Sequence, residues 1–172
     1  TPGDGDDGTV QQSFTVTVAA VNDAPTLAAI ADPAAILEDA SEQTVNLSGI
    51  GSGGGESQAL VVTAVSDNPA LVPTPAVSYT SAEATGSLSY TPVSDASGSA
   101  LITVTVSDAG LNGTPGDGDD GTVQQSFTVT VAAVNDAPTL SAIANPASID
   151  EDAVLQTVNL SGIGAGGGES QD

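Results

Sequence analysis

The side chains of this protein that can do chemistry are almost all carboxylates. Its 172 residues include 22 Asp and Glu and no Lys, Arg, His or Cys, giving a formal net charge of −22. The missing types exclude whole classes of mechanism. Without cysteine there is no disulfide, no thiolate nucleophile and no Cys-ligated zinc or iron–sulfur site. Without histidine there is no Ser-His-Asp triad and no imidazole ligand. Without Lys or Arg there is no phosphate clamp, no Schiff base and no basic nucleic-acid footprint, and an anionic membrane surface repels the chain. What remains is chemistry done by oxygen, from carboxylates, amides, hydroxyls and backbone carbonyls. Hard cations are the partners such atoms suit.

The sharpest local run is Gly116-Asp117-Gly118-Asp119-Asp120-Gly121. Glycine lets the backbone curl so that carbonyls and neighbouring carboxylates converge on one ion. The run resembles a calcium loop but is no EF-hand, because it lacks the bidentate Glu and the flanking helices. It also fits a solvated polar turn. Asp4, Asp6 and Asp7 copy it near the start of the chain. Further candidates are Asn22-Asp23 and Asn135-Asp136, each followed by Ala-Pro, the pair Glu38-Asp39, and Asp67 and Asp95 beside turn residues. Each has a plainer alternative as a stiff linker or an exposed turn. Two carboxylates about 4 Å apart repel by roughly 4 kcal/mol at an effective dielectric near 20. With no basic residue to offset this, acids that meet need a bound cation. Ca²⁺ takes about six to eight oxygens at roughly 2.3–2.6 Å, from carboxylates, amides and backbone carbonyls.

Other signals are weak. Gly51–Gly55 has the composition of a phosphate loop but no lysine, and reads as a flexible loop. Asn46, Asn112 and Asn159 begin glycosylation sequons that fit chance matches. A paired-carboxylate glycosidase needs a concave site with aromatic platforms, and two Tyr and two Phe supply little of that. The expectation is a protein that is not an enzyme.

The elements that must position these acids follow from an internal repeat. Thr1–Leu27 and Thr114–Leu140 are identical, and the match continues at an offset of 113 through Gln58 and Gln171, with seven differences in 58 aligned pairs. Near-identity at a fixed offset marks a tandem array of domain-sized units, of which the chain holds about one and a half. Proline after Asn22-Asp23 and Asn135-Asp136 cannot donate to a ladder and favours an extended residue before it, so these are linkers. The expected division is residues 1–23 as the last strand of one unit, 24–136 as a complete unit, and 137–172 as the first strands of the next. End strands without sheet partners are expected to fray.

Within the complete unit, Ile102, Val104 and Val106 alternate with Thr103 and Thr105, and Phe127, Val129 and Val131 alternate with Thr128 and Thr130. Such alternation marks half-buried antiparallel strands. Seven strands are expected, near 26–36, 43–47, 60–65, 76–80, 86–91, 100–107 and 122–133. The register of 60–65 is ambiguous, since it is apolar on both faces. No window offers an amphipathic helix, and no apolar run is long enough to span a membrane. No basic segment leads into an apolar stretch as in a signal peptide. The reading is an all-β, immunoglobulin-like β-sandwich. That topology sends Asp23, Glu56, Asp108, Asp117, Asp119 and Asp120 to one end. It sends Glu38, Asp39, Asp67, Asp95 and Asp136 to the other.

The motifs VNDAPTL, ILEDA, QTVNLSGI, VSDNPAL, ITVTVSDAG and FTVTVAAVNDAPT, taken together, resemble the cadherin-like, Ig-like tandem repeats of giant bacterial surface adhesins, including the extender regions of RTX-type adhesins. The resemblance covers essentially the whole chain. It implies a cadherin-like sandwich, secretion to the bacterial cell surface, and Ca²⁺ at the junctions between repeats that stiffens an extended rod. Partners on this reading are calcium ions and neighbouring repeats, with no nucleic acid and no membrane insertion. By the same resemblance, Asn135 and Asp136 are the linker ligands, with Glu38 at the end of the first strand and Asp95 in the loop before the sixth. Asp108 faces the preceding linker with Asp23. The rival readings are a polysaccharide- or protein-binding module, which sparse aromatics disfavour, and an accessory domain of a secreted enzyme.

Overall fold

The computed structural model describes residues 9–114 and 116–167. Among the described residues, seven strands lie in the order β1 (Ile36–Leu37), β2 (Gln43–Ser48), β3 (Leu60–Ser66), β4 (Ala76–Ser78), β5 (Thr85–Tyr90), β6 (Gly98–Asp108) and β7 (Thr122–Ala132). They form two sheets, one ordered β1-β7-β6-β3 and the other β2-β5-β4. Every pairing is antiparallel except β1 with β7, where Ile36 pairs with Val131 and Leu37 with Ala132 in parallel. The architecture is an all-β sandwich. Among the described residues no helix is long and apolar enough to cross a membrane.

Period-two patterning decides what the sheets bury. Val62, Ala64, Ile102, Val104, Phe127 and Val129 from one sheet pack against Leu47, Leu88 and Tyr90 from the other. Threonines and serines at the intervening positions face outward, as a pleated half-buried strand requires. The ambiguous strand β3 resolves through its partner: Val62 pairs with Val106 and Ala64 with Val104, so these residues go inward. Val61 and Val65 are left exposed on the outer face.

The expected first strand is the main departure. Instead of one run over 26–36, Thr26 bridges Gly51 beside β2, and the chain then crosses to the other sheet, where β1 pairs with β7. Pro33 lies at the crossing and has no N–H to continue a ladder. The Asp32 carboxylate fixes the crossing by accepting the Thr128 amide at 2.6 Å. β4 also stops early, at Ser78, because a turn at Thr80–Glu83 with Ala82 at φ 77° follows.

The same letters fold differently in the two copies. Phe127 is 1% exposed inside the core, whereas Phe14, its counterpart 113 residues earlier, is 88% exposed in a segment that forms no strand. Burial of this strand is supplied by β6 and β1, not by its own sequence. The second copy keeps the local geometry of its first residues. Thr139 bridges Gly164 as Thr26 bridges Gly51, and Ser141 N donates to Ser161 O at 2.9 Å as Ala28 N does to Ser48 O at 3.0 Å.

Loop parity gathers the connections at two poles. At the entry pole, the β6–β7 loop meets Asn22, Asp23 meets the β2–β3 loop, and Ser81 of the β4–β5 loop bonds Leu60. At the exit pole, the β1–β2 turn, the β5–β6 loop and the linker at Asp136 converge.

Candidate metal centre

The exit pole brings three carboxylates together. Asp39 follows β1 in a turn closed by Ala40 N donating to Leu37 O at 3.0 Å. Asp95 lies in the β5–β6 loop at φ 58°, a left-handed conformation that Asp and Asn tolerate better than other side chains. Asp136 comes from the linker. One oxygen of each lies within 4.8 Å of the others. Glu38 supports this pole from beneath. It is 2% exposed, its amide donates to Ala132 O at 3.1 Å, and its Oε1 accepts the Val134 amide at 2.6 Å. The carboxylate thus extends the β1–β7 pairing into the linker, with no basic residue to neutralise it. Asn135 is exposed, and its side-chain amide donates to the Asp136 carbonyl at 3.2 Å.

Asp67 is not in this trio. Its Oδ1 accepts the Leu101 amide at 2.7 Å and its own amide donates to Leu101 O at 3.1 Å, so it clasps the end of β3 to β6.

The entry pole carries two groups. In the β6–β7 loop, Asp117, Asp119 and Asp120 place carboxylate oxygens within 4.8 Å of one another. The Asn112 amide straddles Asp117 Oδ2 and Asp119 Oδ1, both at 2.8 Å. Asp120 accepts the Gly116 amide, and Asp119 accepts that of Leu111 at 3.2 Å. Asp117 is held below its ordinary pKa chiefly by a hydrogen bond from Asp119, and Asp119 is held above its own chiefly by that same bond. Part of the rise at Asp119 comes from the Asp117 charge beside it, which a cation would offset. Asp4, Asp6 and Asp7, which copy this loop, lie outside the described residues.

The second group surrounds the linker. Asp108 is 2% exposed. Its Oδ1 accepts from Gly121 N at 2.8 Å, Gly110 N at 3.0 Å and Asn22 Nδ2 at 3.2 Å. Its Oδ2 is buried and accepts no hydrogen bond. Asn22 also donates to Asp119 O at 2.7 Å and accepts from Gln58 Nε2, whose Oε1 is again buried without a donor. Asp23 N reaches Glu56 Oε2 at 3.3 Å. A buried carboxylate oxygen and a buried amide oxygen without donors, both on residues bonded to Asn22, suit a hard cation's oxygen preference. The donor sets at both poles therefore fit Ca²⁺.

Two features escaped the sequence reading. Gln58 is a partner of the linker, and its repeat at Gln171 within an identical Glu-Ser-Gln was the available signal. Gly51–Gly55 does not behave as a free loop. Side chains added at Gly53 or Gly54 would collide with the Ala24 carbonyl or the Asp23 carboxylate.

Neither a protein-family model nor a curated relative matches the sequence. Among solved structures, the chain is similar to domains 4 and 5 of the S-layer protein SbsC, at 20% identity and a TM-score of 0.41, over 63% of this chain and 54% of that one. Domains 5–6 of the same protein give 20% identity and a TM-score of 0.38, over 78% and 58%. Its domains 1–6 give 17% and 0.36, over 83% and 18%. The chain thus spans little more than half, or less, of the structures it matches. Likeness at this level assigns neither a family nor a role.

Proposed function

We propose that this chain is part of a tandem array of Ig-like, cadherin-like spacer repeats from a secreted bacterial cell-surface adhesin. The repeats are held in line by Ca²⁺ at their junctions and carry distal adhesive domains away from the cell. The unit is residues 24–136, with the linkers at Asn22-Asp23 and Asn135-Asp136 as its ends, and it does no catalysis. The sheet order and the parallel β1–β7 pairing support the Ig-like type.

One observation carries the reading. Asp39, Asp95 and Asp136 come from a turn, a loop and a linker that are far apart in sequence, yet their carboxylates meet, in a chain without a basic residue, where this reading puts the seam between repeats. Ca²⁺ would take oxygens from these three and from Glu38 at the exit pole. At the entry pole it would take them from Asn22, Asp23 and Asp108, and in the β6–β7 loop from Asp117, Asp119 and Asp120. The ion supplies the positive charge the polypeptide lacks. Extracellular modules bind Ca²⁺ with dissociation constants of roughly 10⁻⁴–10⁻³ M. Calcium titration by calorimetry, with X-ray scattering in calcium and in chelator, tests the proposal. Heat of binding and a longer particle in calcium support it. No heat and an unchanged length refute it.

A further inference from the structure

The glycine-rich β2–β3 loop does something the carboxylates do not. At Gly53, a Cβ would collide with the Ala24 carbonyl oxygen and lie 3.2 Å from that of Asp23, and at Gly54 it would collide with the Asp23 carboxylate. The contact recurs 113 residues on. A Cβ at Gly166 would lie 2.5 Å from the Ala137 carbonyl oxygen and 3.0 Å from Asp136 Cβ. At Gly167 it would collide with Asp136 Oδ2 and sit 3.0 Å from Asp95 Oδ1. Both loops are anchored to the segment that follows the linker: Thr26 N donates to Gly51 O at 2.8 Å, and Thr139 N to Gly164 O at 2.9 Å. Asp23 N is also held by Glu56, in the same loop, at 3.3 Å. Gly55 is different. Its φ of 82° nearly equals the 80° of Gly53, yet nothing lies within 4 Å of its missing Cβ.

We propose that Gly53–Gly54 and Gly166–Gly167 form a socket in which each repeat seats the linker entering it. At the exit pole, the socket of the following repeat then fixes Asp136 against Asp95 and sets the cation affinity of the trio. These glycines are positioning residues. The absence of a side chain is the complementary shape for a linker carbonyl and a linker carboxylate, so the angle between repeats is read by backbone contact before any ion arrives. The effect on cation affinity rests on the calcium reading. The seating of the linker does not.

The matched pair G53A and G55A tests the socket in the 172-residue chain. Both variants strain a left-handed residue equally, and only G53A meets the linker. Hydrogen exchange is followed in chelator at the Asp23 and Thr26 amides, with the Val104 amide reporting the core. G53A is expected to speed exchange at both linker amides by about tenfold and G55A by less than about twofold, as a local opening predicts. Equal exchange in the two variants overturns the socket. Should G53A lose core protection as well, G54A and the double variant D23A/G54A decide the matter. Removing the seated carboxylate is expected to restore the Thr26 protection that G54A loses, and failure to restore it overturns the proposal. Calcium titration of G166A reads the second limb, with an expected loss of about tenfold in affinity at the trio. Affinity equal to that of the unsubstituted chain overturns that limb. An unsubstituted chain that takes up no calcium refutes the calcium reading and that limb together, leaving the exchange result to judge the seat.

Discussion

The substitution Asp95→Asn separates charge from geometry at the exit pole. Asn keeps the shape of Asp and tolerates the left-handed backbone at φ 58°, so the loop is undisturbed. What changes is one negative charge within 4.8 Å of two others. At that distance each like-charge pair in bulk water costs about 0.9 kcal/mol, and screening at physiological salt brings the two pairs to roughly 1 kcal/mol together. In chelator the variant should therefore be more stable by about that amount, or about 4 °C in melting temperature for a unit near 100 residues. In calcium the order reverses. With a dissociation constant of roughly 10⁻⁴–10⁻³ M at the trio, about 10 mM Ca²⁺ stabilises the parent through that site by about 1.4–2.7 kcal/mol, or roughly 6–11 °C. A hundredfold loss of affinity leaves the variant no more than about 0.4 kcal/mol of that linkage. Calorimetric melting of both proteins, with and without calcium, provides the assay. The expected pattern is a variant that melts higher in chelator and lower in calcium, its calcium-induced rise smaller than the parent's by about 5–9 °C, while ions at the entry pole and in the β6–β7 loop raise both proteins alike. A shift of the same sign and size under both conditions would show that Asp95 is an ordinary turn residue, and the argument from converging charge would fail.

Three further outcomes follow from the geometry. Asp119 has a raised pKa, so its proton supports the β6–β7 loop below that value and is lost as pH rises through it; calcium uptake there should weaken as pH falls through the same point, above the ordinary carboxylate range near 3.8. Titrating loop-site affinity in the variant D95N across that window checks it, and a pH-independent affinity contradicts it. Asp108→Ala strands the buried Gly110 amide and the half-buried Gly121 amide and removes one of the Asn22 bonds; it should cost roughly 2–4 kcal/mol by chemical denaturation in chelator, while Asp108→Asn, which keeps an acceptor oxygen, should cost about 1 kcal/mol or less. Phe127→Ala should cost roughly 3–5 kcal/mol and Phe14→Ala under about 0.5 kcal/mol, although the two residues share identical neighbours in sequence.

Much of the sandwich was legible because alternation is a local signal. The β6 and β7 patterns gave their inward residues directly, and loop parity sent Asp39, Asp95 and Asp136 to one pole without knowledge of any distance. The first strand was not legible, because its change of sheet depends on Pro33 and on a bond from Thr128 to Asp32 that spans 96 residues. The orientation of β3 needed β6 as a reference, since its own two faces are both apolar. Asp67 looked like its neighbours in composition, yet an amide in β6 claims it. The glycine run misled in another way. Lack of side chains reads as freedom in a sequence, whereas in the folded chain it permits the closest approach of two backbones.

The two copies of FTVTVAAVNDAP locate the specificity of the array outside that segment. Its strand is buried only where β6 and β1 flank it, and its Asp136 meets two other carboxylates only where Asp39, Asp95 and the Gly167 backbone surround it. If the trio binds an ion as proposed, the site is divided between three segments of one repeat and a loop of the next, and has its full ligand geometry only when the repeats are docked. Docking in turn presses three anions together unless a cation is bound. Each condition therefore favours the other by the same free energy, because linkage is reciprocal. On that reading the stiffness of the array is a property of the calcium concentration around it as much as of the polypeptide. On the same reading, a polypeptide without lysine or arginine makes its joints responsive to an ion it does not encode.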